Sequence, residues 1–277
     1  MKKFLVIGNP VQHSLSPILH RQIYNQLGLA ATYEKRTVKS DELPAIIAEL
    51  RTHRLDGINV TIPYKEEVVP LLDRLSPEAN AIGAVNCITR EENDIVGYNT
   101  DYFACRRLID DHDLIRPGRH VIVLGAGGSA RSVVYAFHQA GAEKVTIVNR
   151  NPERARDLAD HFAGVNREAD FDVATLAEID SSHALIWVNC TPVGMGQLSD
   201  QSPVPEHLIQ SHHIVMDLIY RPLRTTFVKQ ADQRNAGIVS GLDFLIEQGL
   251  ESNRIWFGAD RITAVNRQII IMDLIVR

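Results

Sequence analysis

Two stretches carry side chains whose types and spacing suit chemistry. In "DGINVTIPYKEEV", Gly57 to Ile62 alternates, with Ile58, Val60 and Ile62 on one face and Asn59 and Thr61 on the other. Pro63 removes a ladder donor and ends the strand, and a helical pattern, Lys65 to Leu72, follows almost at once. Lys65 then sits near a helix start, where the dipole disfavours a positive charge, so its presence asks for a reason. "GYNTD" ends another apolar run with Asn99, Thr100 and Asp101, and Asn86 lies on the arm before it. Ser14 and Ser16 follow the first apolar run; taken alone, Ser14-x-Ser16-Pro17 is explained by helix N-capping. Together these strand ends offer hydroxyls and amides with one cation and one anion, which suits a small polyhydroxylated ligand and not a metal. The 11 histidines contain no HExxH, and His212 and His213, being adjacent, cannot share a helical face.

The second stretch is "HVIVLGAGGSARSVVYAFHQAGAEKVTIVNR". A β-rich run ends at Gly125, and Gly127 and Ala130 complete G-x-G-x-x-A ahead of an amphipathic helix from Ser129 to about Gln139. The first small residue allows a tight turn, the second lets backbone amides approach a pyrophosphate, and the third permits close helix–strand packing. The helix N-terminus adds amide donors and the positive dipole end. The next strand ends in Asn149-Arg150, where an NAD site carries a carboxylate for the ribose hydroxyl. The planar guanidinium of Arg150, with Arg154 four residues on, suits a 2′-phosphate and favours NADP over NAD.

The elements that must hold these residues alternate strand and helix almost throughout, the pattern of an α/β protein with parallel sheets. Strands are expected at "FLVIG", "TYEKRTV" and "LDGINVT", with helices at Pro17 to Leu27 and Asp41 to Arg51. "GAVNCITREENDIVGYNTD" reads as a hairpin turning at Glu91 to Asp94. A second series begins after "RPG" at Arg116 to Gly118, with strands at "HVIVL", "KVTIVN", "DVATL", "ALIWVNC", "HIVMDLIY" and "AGIVSG". Past Gly241 the pattern is helical, and these last helices are expected to pack back onto residues 1–100.

The 277 residues suit two domains, and 45% hydrophobic with 23% charged residues is ordinary globular composition. A net charge of −5 without a basic run gives no footprint for nucleic acid. The opening "FLVIG" is too short for a signal peptide, and "IIIMDLIV" is far below the ~20 residues of a membrane span. Cys87, Cys105 and Cys190 are widely spaced with no CxxC pair, so a reducing, cytoplasmic setting is expected.

"GNPVQHSLSP", "DGINVTIPYKEEV", "AIGAVNCI", "GYNTD", "GAGGSAR", "VNRNPERA", "VNCTPVGM", "MDLIYRPLRT" and "GLDFLIEQG" occur in this order over almost the whole chain, which thereby resembles the shikimate dehydrogenase family. The resemblance implies an NADP-dependent enzyme that interconverts 3-dehydroshikimate and shikimate in aromatic amino-acid biosynthesis. It implies a substrate-binding catalytic domain, residues 1–101 and 241–277, a Rossmann-type NADP-binding domain, residues 102–240, and an active site in the cleft between them. By matching position, Lys65 and Asp101 are the catalytic pair. Ser14 and Ser16, with Tyr220, bind the substrate carboxylate, while Asn59, Thr61, Asn86 and Gln248 hold ring hydroxyls. Gly125, Ala126, Gly127, Gly128, Ser129 and Ala130 cradle the pyrophosphate. Asn149, Arg150 and Arg154 take the 2′-phosphate, and Thr191 and Gly241 line the cofactor groove. On this reading Lys65 is a proton donor or an electrostatic stabiliser of the alkoxide that forms as a ketone accepts hydride.

The chain departs from the family pattern at Cys87, Tyr102, Ala104, Asn151 and Phe244, where threonine, two glycines, threonine and methionine are expected. Those departures leave open a quinate/shikimate dehydrogenase, an aminoshikimate-type paralogue, or a non-catalytic sensor of NADP and a small acid. The partners expected are small molecules only, with neither nucleic acid nor membrane, and the chain acts as a monomer or homodimer.

Overall fold

The structure, a computed structural model, describes residues 1–165 and 170–276. The chain divides into two compact units, Met1–Phe103 with Ile246–Arg277, and Ala104–Leu245.

In the first unit, β1 (Lys2–Gly8), α1 (Ser16–Leu27), β2 (Ala31–Thr37), α2 (Leu43–Arg51) and β3 (Gly57–Val60) form a parallel series. A two-residue β4 (Arg74–Leu75) and a short α3 (Pro77–Ile82) precede the antiparallel hairpin of β5 (Cys87–Glu91) and β6 (Asp94–Tyr98). The sheet order is β2-β1-β3-β5-β6-β4, with β3 antiparallel to β5. Its central strands read as unbroken apolar runs because both faces are covered. Leu5, Ile7, Ile58 and Val60 pack with Ile46, Ile47 and Leu50 of α2. On β1, Phe4 stacks on Trp256 at 4.3 Å between ring centres. Trp256 belongs to α8 (Gly241–Phe257), which is followed by α9 (Ala259–Ile262) and α10 (Arg267–Val276). The last helix returns to α1, where Gln22 donates to Asp273 at 2.8 Å. Among the described residues, no helix is long and apolar enough to cross a membrane.

One expectation fails at the centre of the site. Residues 65–72 form no α-helix: turns run to Val68, and a single 3-10 turn follows at Val69–Leu71. The Val68 N–H closes an α-type bond to the Tyr64 carbonyl at 3.0 Å, while those of Val69, Leu71 and Leu72 reach back only three residues. Pro70 is the reason, since its ring clashes with the carbonyl four residues back and it has no N–H to give. Lys65 therefore faces no helix dipole. β4 and α3, which the sequence pattern does not suggest, occupy the chain between this turn and the hairpin.

The second unit starts within α4 (Thr100–Asp111) and continues through β7 (Arg119–Leu124), α5 (Gly128–Gln139), β8 (Lys144–Val148), α6 (Pro152–Val165) and β9 (Asp170–Val173). β10 (Ala184–Asn189), β11 (Ile214–Asp217), α7 (Thr226–Gln233) and β12 (Gly237–Val239) complete it. All six strands are parallel in the order β12-β11-β10-β7-β8-β9. The order reverses between β7 and β10, the switch point at which doubly wound sheets bind ligands beyond the strand ends. Trp187, Leu185, Ile122, Val215 and Phe227 fill one side of that sheet.

Candidate active site

In the first unit the polar strand ends converge. The turn that replaces the expected helix is fastened on both sides. The Tyr64 hydroxyl donates to the Val38 carbonyl at 2.7 Å, and the Lys65 carbonyl accepts the Val85 N–H at 2.8 Å. Held there, Lys65 is only 9% exposed, and its Nζ lies 2.5 Å from Oδ2 of Asp101, which is 3% exposed. Asp101 stands in the first turn of α4, where the dipole favours a carboxylate. Asn99 caps that helix, accepting the Tyr102 N–H at 3.0 Å and donating to the Ala84 carbonyl at 2.9 Å.

The carboxylate has a second partner. Asn86 Nδ2 donates to Asp101 Oδ1 at 2.8 Å, and Asn86 Oδ1 accepts the Thr100 N–H at 2.7 Å. A buried ion pair is strongly costly when one partner is removed and gains from further hydrogen bonds to its lone pairs; Asn86 supplies one. Asn59 supports Asn86 in turn, donating to its backbone carbonyl at 3.0 Å and to Ser252 Oγ at 2.9 Å, while its Oδ1 accepts the Tyr33 hydroxyl at 2.7 Å. Both N–H groups of Asn59 are thus engaged by neighbours. Tyr33 is stacked on His20 at 3.9 Å, nearly parallel. Burial drives the His20 pKa down to about 3 against the opposing bond from Asn253, so its ring stays neutral.

Ser14 and Ser16 adjoin at the start of α1, with hydroxyls 3.1 Å apart. Ser14 Oγ accepts the Ser16 N–H at 3.2 Å, while the capping position itself is Leu15, so neither serine is the N-cap residue. Thr61 is half-buried just past β3, its N–H bonded to the Ile7 carbonyl at 2.9 Å. Gln248 is half-buried on α8, one turn before Ser252. Tyr220 belongs to the second unit, in the segment after β11. Cys87 lies directly opposite Asn59 in the β3–β5 register, and burial pushes its thiol pKa up, with Ser252 as its hydrogen-bonding neighbour. Sequence reasoning missed Ser252 and Tyr33; no local motif marks either.

In the second unit the glycine-rich turn joins β7 to α5. Gly125 has φ +109° at the end of β7, and a Cβ there would come within 3.3 Å of the Cys190 backbone just past β10. A side chain would close the crevice at the switch point. Gly127 is the extended residue capping α5, and nothing lies within 4 Å of where its Cβ would stand. Ala130 is fully buried in the helix's first turn. Open space before backbone amides at a helix start is what a pyrophosphate needs, so Gly125 to Ala130 fit a dinucleotide. At the end of β8, Asn149 is half-buried and Arg150 exposed. Asn151 accepts the Glu153 N–H at 2.9 Å and caps α6, whose first turn carries Arg154.

Thr191 follows β10, its N–H and hydroxyl bonded to Asn189 Oδ1 at 3.0 and 2.7 Å. Asn189 Nδ2 reaches Asp217 at 2.9 Å, and the Thr225 hydroxyl donates to the same carboxylate at 2.6 Å. Burial pushes the Asp217 pKa up to about 6, against the bonds from Thr225, the Ile219 N–H and Asn189. Gly241 packs against this segment: a Cβ there would lie 2.3 Å from the Ile219 carbonyl and 2.5 Å from that of Asp217. Among the described residues, no group of three or more His, Cys, Asp or Glu could hold a metal.

The sequence matches two family models, "Shikimate dehydrogenase substrate binding domain" over residues 6–88 and "Shikimate / quinate 5-dehydrogenase" over residues 115–186. The shikimate dehydrogenase (NADP(+)) of Methanothermobacter thermautotrophicus is 38% identical over 257 residues, 92% of this chain and 90% of the relative. That of Nostoc sp. is 39% identical over 279 residues, 97% of this chain and 96% of the relative. The crystal structure of shikimate 5-dehydrogenase from Thermus thermophilus, in complex with NADP(H) and shikimate, is 33% identical and superposes with a TM-score of 0.84, covering 99% of this chain and 100% of that one. With such similarity along nearly its whole length, the chain belongs to the shikimate dehydrogenase family.

Proposed function

We propose that the chain catalyses the NADP-dependent, reversible reduction of 3-dehydroshikimate to shikimate in aromatic amino-acid biosynthesis. The observation that carries this is the buried Lys65–Asp101 pair, 2.5 Å apart and braced by Asn86. The Asn86 amide bonds the pair and the Thr100 hydroxyl bonds that amide, and the same chain holds a dinucleotide turn followed by Arg150. Residues 1–101 and 241–277 form the substrate-binding catalytic domain and residues 102–240 the NADP-binding domain. The relatives' names and the bound NADP(H) and shikimate of the Thermus enzyme support the same reading.

NADPH, when bound, supplies hydride to the substrate carbonyl carbon. The Lys65 ammonium gives its proton to the oxygen that becomes the alcohol, and it takes the proton back in the oxidative direction. Asp101 holds the ammonium in place and Asn86 holds Asp101. Ser14 and Ser16, with Tyr220, bind the substrate carboxylate, while Thr61, Asn86 and Gln248 bind ring hydroxyls. Asn59, with both N–H groups engaged, meets a ring hydroxyl only as an acceptor and mainly steadies Asn86. Gly125, Ala126, Gly127, Gly128, Ser129 and Ala130 cradle the pyrophosphate. Asn149, Arg150 and Arg154 take the 2′-phosphate, and Thr191 and Gly241 line the groove. The enzyme works in the cytoplasm as a monomer or homodimer, on small molecules alone.

The test is NADPH oxidation with 3-dehydroshikimate, with quinate oxidation run alongside. Lys65→Ala is expected to lower kcat by about 10²- to 10⁴-fold while NADPH binding is retained. Binding of both ligands without turnover by the wild type would refute the enzyme reading in favour of a sensor. A higher kcat/KM on quinate would refute the substrate assignment.

A further inference from the structure

Ser252 lies in none of the motifs that define the site, yet it is fully buried at its centre. A hydroxyl has one donor and two acceptor positions, and Ser252 meets Gln248, Asn59 and Thr100 beside the Cys87 thiol. The Gln248 carbonyl, 3.0 Å away, can only accept, so it takes the serine proton. Asn59 Nδ2, at 2.9 Å, can only donate, so it fills one lone pair. Thr100 Oγ1 lies 3.4 Å from the same hydroxyl. Asn86 Nδ2, which can only donate, gives a hydrogen bond to Thr100 Oγ1 at 3.0 Å. That orientation of the Asn86 amide keeps Oδ1 on the Thr100 N–H and Nδ2 on Asp101 Oδ1, leaving Oδ2 to Lys65.

Thr100 Oγ1 also lies 3.2 Å from Asn86 Oδ1, so loss of the serine leaves the threonine hydroxyl bonded to Asn86 alone. Back-bonding of a serine to the carbonyl four residues earlier is common in helices and by itself purely local. The bonds to Asn59 and Thr100 are not local, since they join residues 193 and 152 positions apart.

We propose that Ser252 is a positioning residue for the reaction. Its hydroxyl ties the turn of α8 that carries Gln248 to Asn59 and Thr100, and so steadies the two residues that brace Asn86 against Asp101. This role rests on the dehydrogenase reading above.

The experiment is steady-state kinetics of Ser252→Ala and Tyr33→Phe beside the wild type, with NADPH and 3-dehydroshikimate varied separately. Ser252→Ala is expected to lower kcat/KM for 3-dehydroshikimate by about tenfold, through both kcat and substrate KM, with KM for NADPH unchanged. Tyr33→Phe frees Asn59 from the opposite side and leaves Ser252 in place. It is expected to shift the same parameters in the same direction by less. Wild-type kinetics in Ser252→Ala would overturn the proposal, as would an equal loss of NADPH affinity accompanying a lowered Tm, which marks general loosening. Should Ser252→Ala not fold, Ser252→Cys, which keeps the size but weakens the hydrogen bonds, carries the test, and an unchanged substrate KM overturns the proposal. The wild-type control separates the two readings: no turnover there overturns the dehydrogenase assignment, and this role falls with it.

Discussion

Replacing Asp217 by asparagine removes a titration that the fold has displaced. Asp217 is fully buried, and burial raises its pKa from 3.8 to about 6, against three hydrogen bonds that favour the charged form. A carboxyl whose pKa is higher folded than unfolded holds its proton more tightly in the native state. Its contribution to stability is therefore complete below about pH 4 and is lost as the pH rises through about 6. A rise of roughly two units at 1.36 kcal/mol each makes the loss about 3 kcal/mol. The asparagine of the variant cannot ionise. Its Oδ1 still accepts from Asn189 and the Ile219 N–H, and its Nδ2 donates to Thr225 once that hydroxyl turns. The variant thus differs from the wild type by a constant packing cost and by the missing titration.

The assay is urea unfolding between pH 4 and 7.5, read by Trp187, which is fully buried on β10, in a Trp256→Phe background so that the signal comes from the second unit alone. The stability of Asp217→Asn relative to wild type is expected to rise by about 3 kcal/mol from the acid to the neutral end. Titrating groups common to both proteins cancel in that difference. If the two proteins differ by the same amount at pH 4 and pH 7.5, the burial argument for Asp217 is refuted.

The other two predictions concern cofactor choice and close packing. Arg150 is exposed at the end of β8, where its charge can meet a 2′-phosphate; Arg150→Ala should raise KM for NADPH about tenfold or more while leaving KM for NADH nearly unchanged. Equal effects on both cofactors would refute the assignment. Gly241→Ala would force a Cβ to 2.3 Å from the Ile219 carbonyl, and the displaced backbone should cost about 1–3 kcal/mol of stability in the second unit. A variant that unfolds at the wild-type urea concentration would show that α8 starts with more room than this.

Much of the architecture was legible because it is written in short-range patterns. The apolar runs of β1, β3, β7 and β10 mark strands covered on both faces, the "REEND" stretch marks a hairpin, and glycines at Gly125 and Gly127 mark a turn open to a pyrophosphate. The candidate site was legible as a set of polar strand ends, with Lys65 and Asp101 among them. The local structure around Lys65 was not, because the helical periodicity of residues 65–72 gave no weight to Pro70, which interrupts the ladder.

Other features depend on residues far apart in the chain. Lys65 and Asp101 are 36 residues apart, and only the fold decides that they meet at 2.5 Å. Ser252 and Tyr33 look in sequence like a helix serine and a strand tyrosine, and Asp217 like a polar strand end. Each acquires its meaning from burial beside partners on other elements. Periodicity and turn chemistry report on a residue's nearest neighbours along the chain, whereas the orientation of a buried amide and the pKa of a buried carboxyl depend on which distant groups exclude water and complete their hydrogen bonds. The sequence by itself determined the elements and the inventory of reactive groups; the tertiary structure decided which groups touch, and in what hydrogen-bonding state.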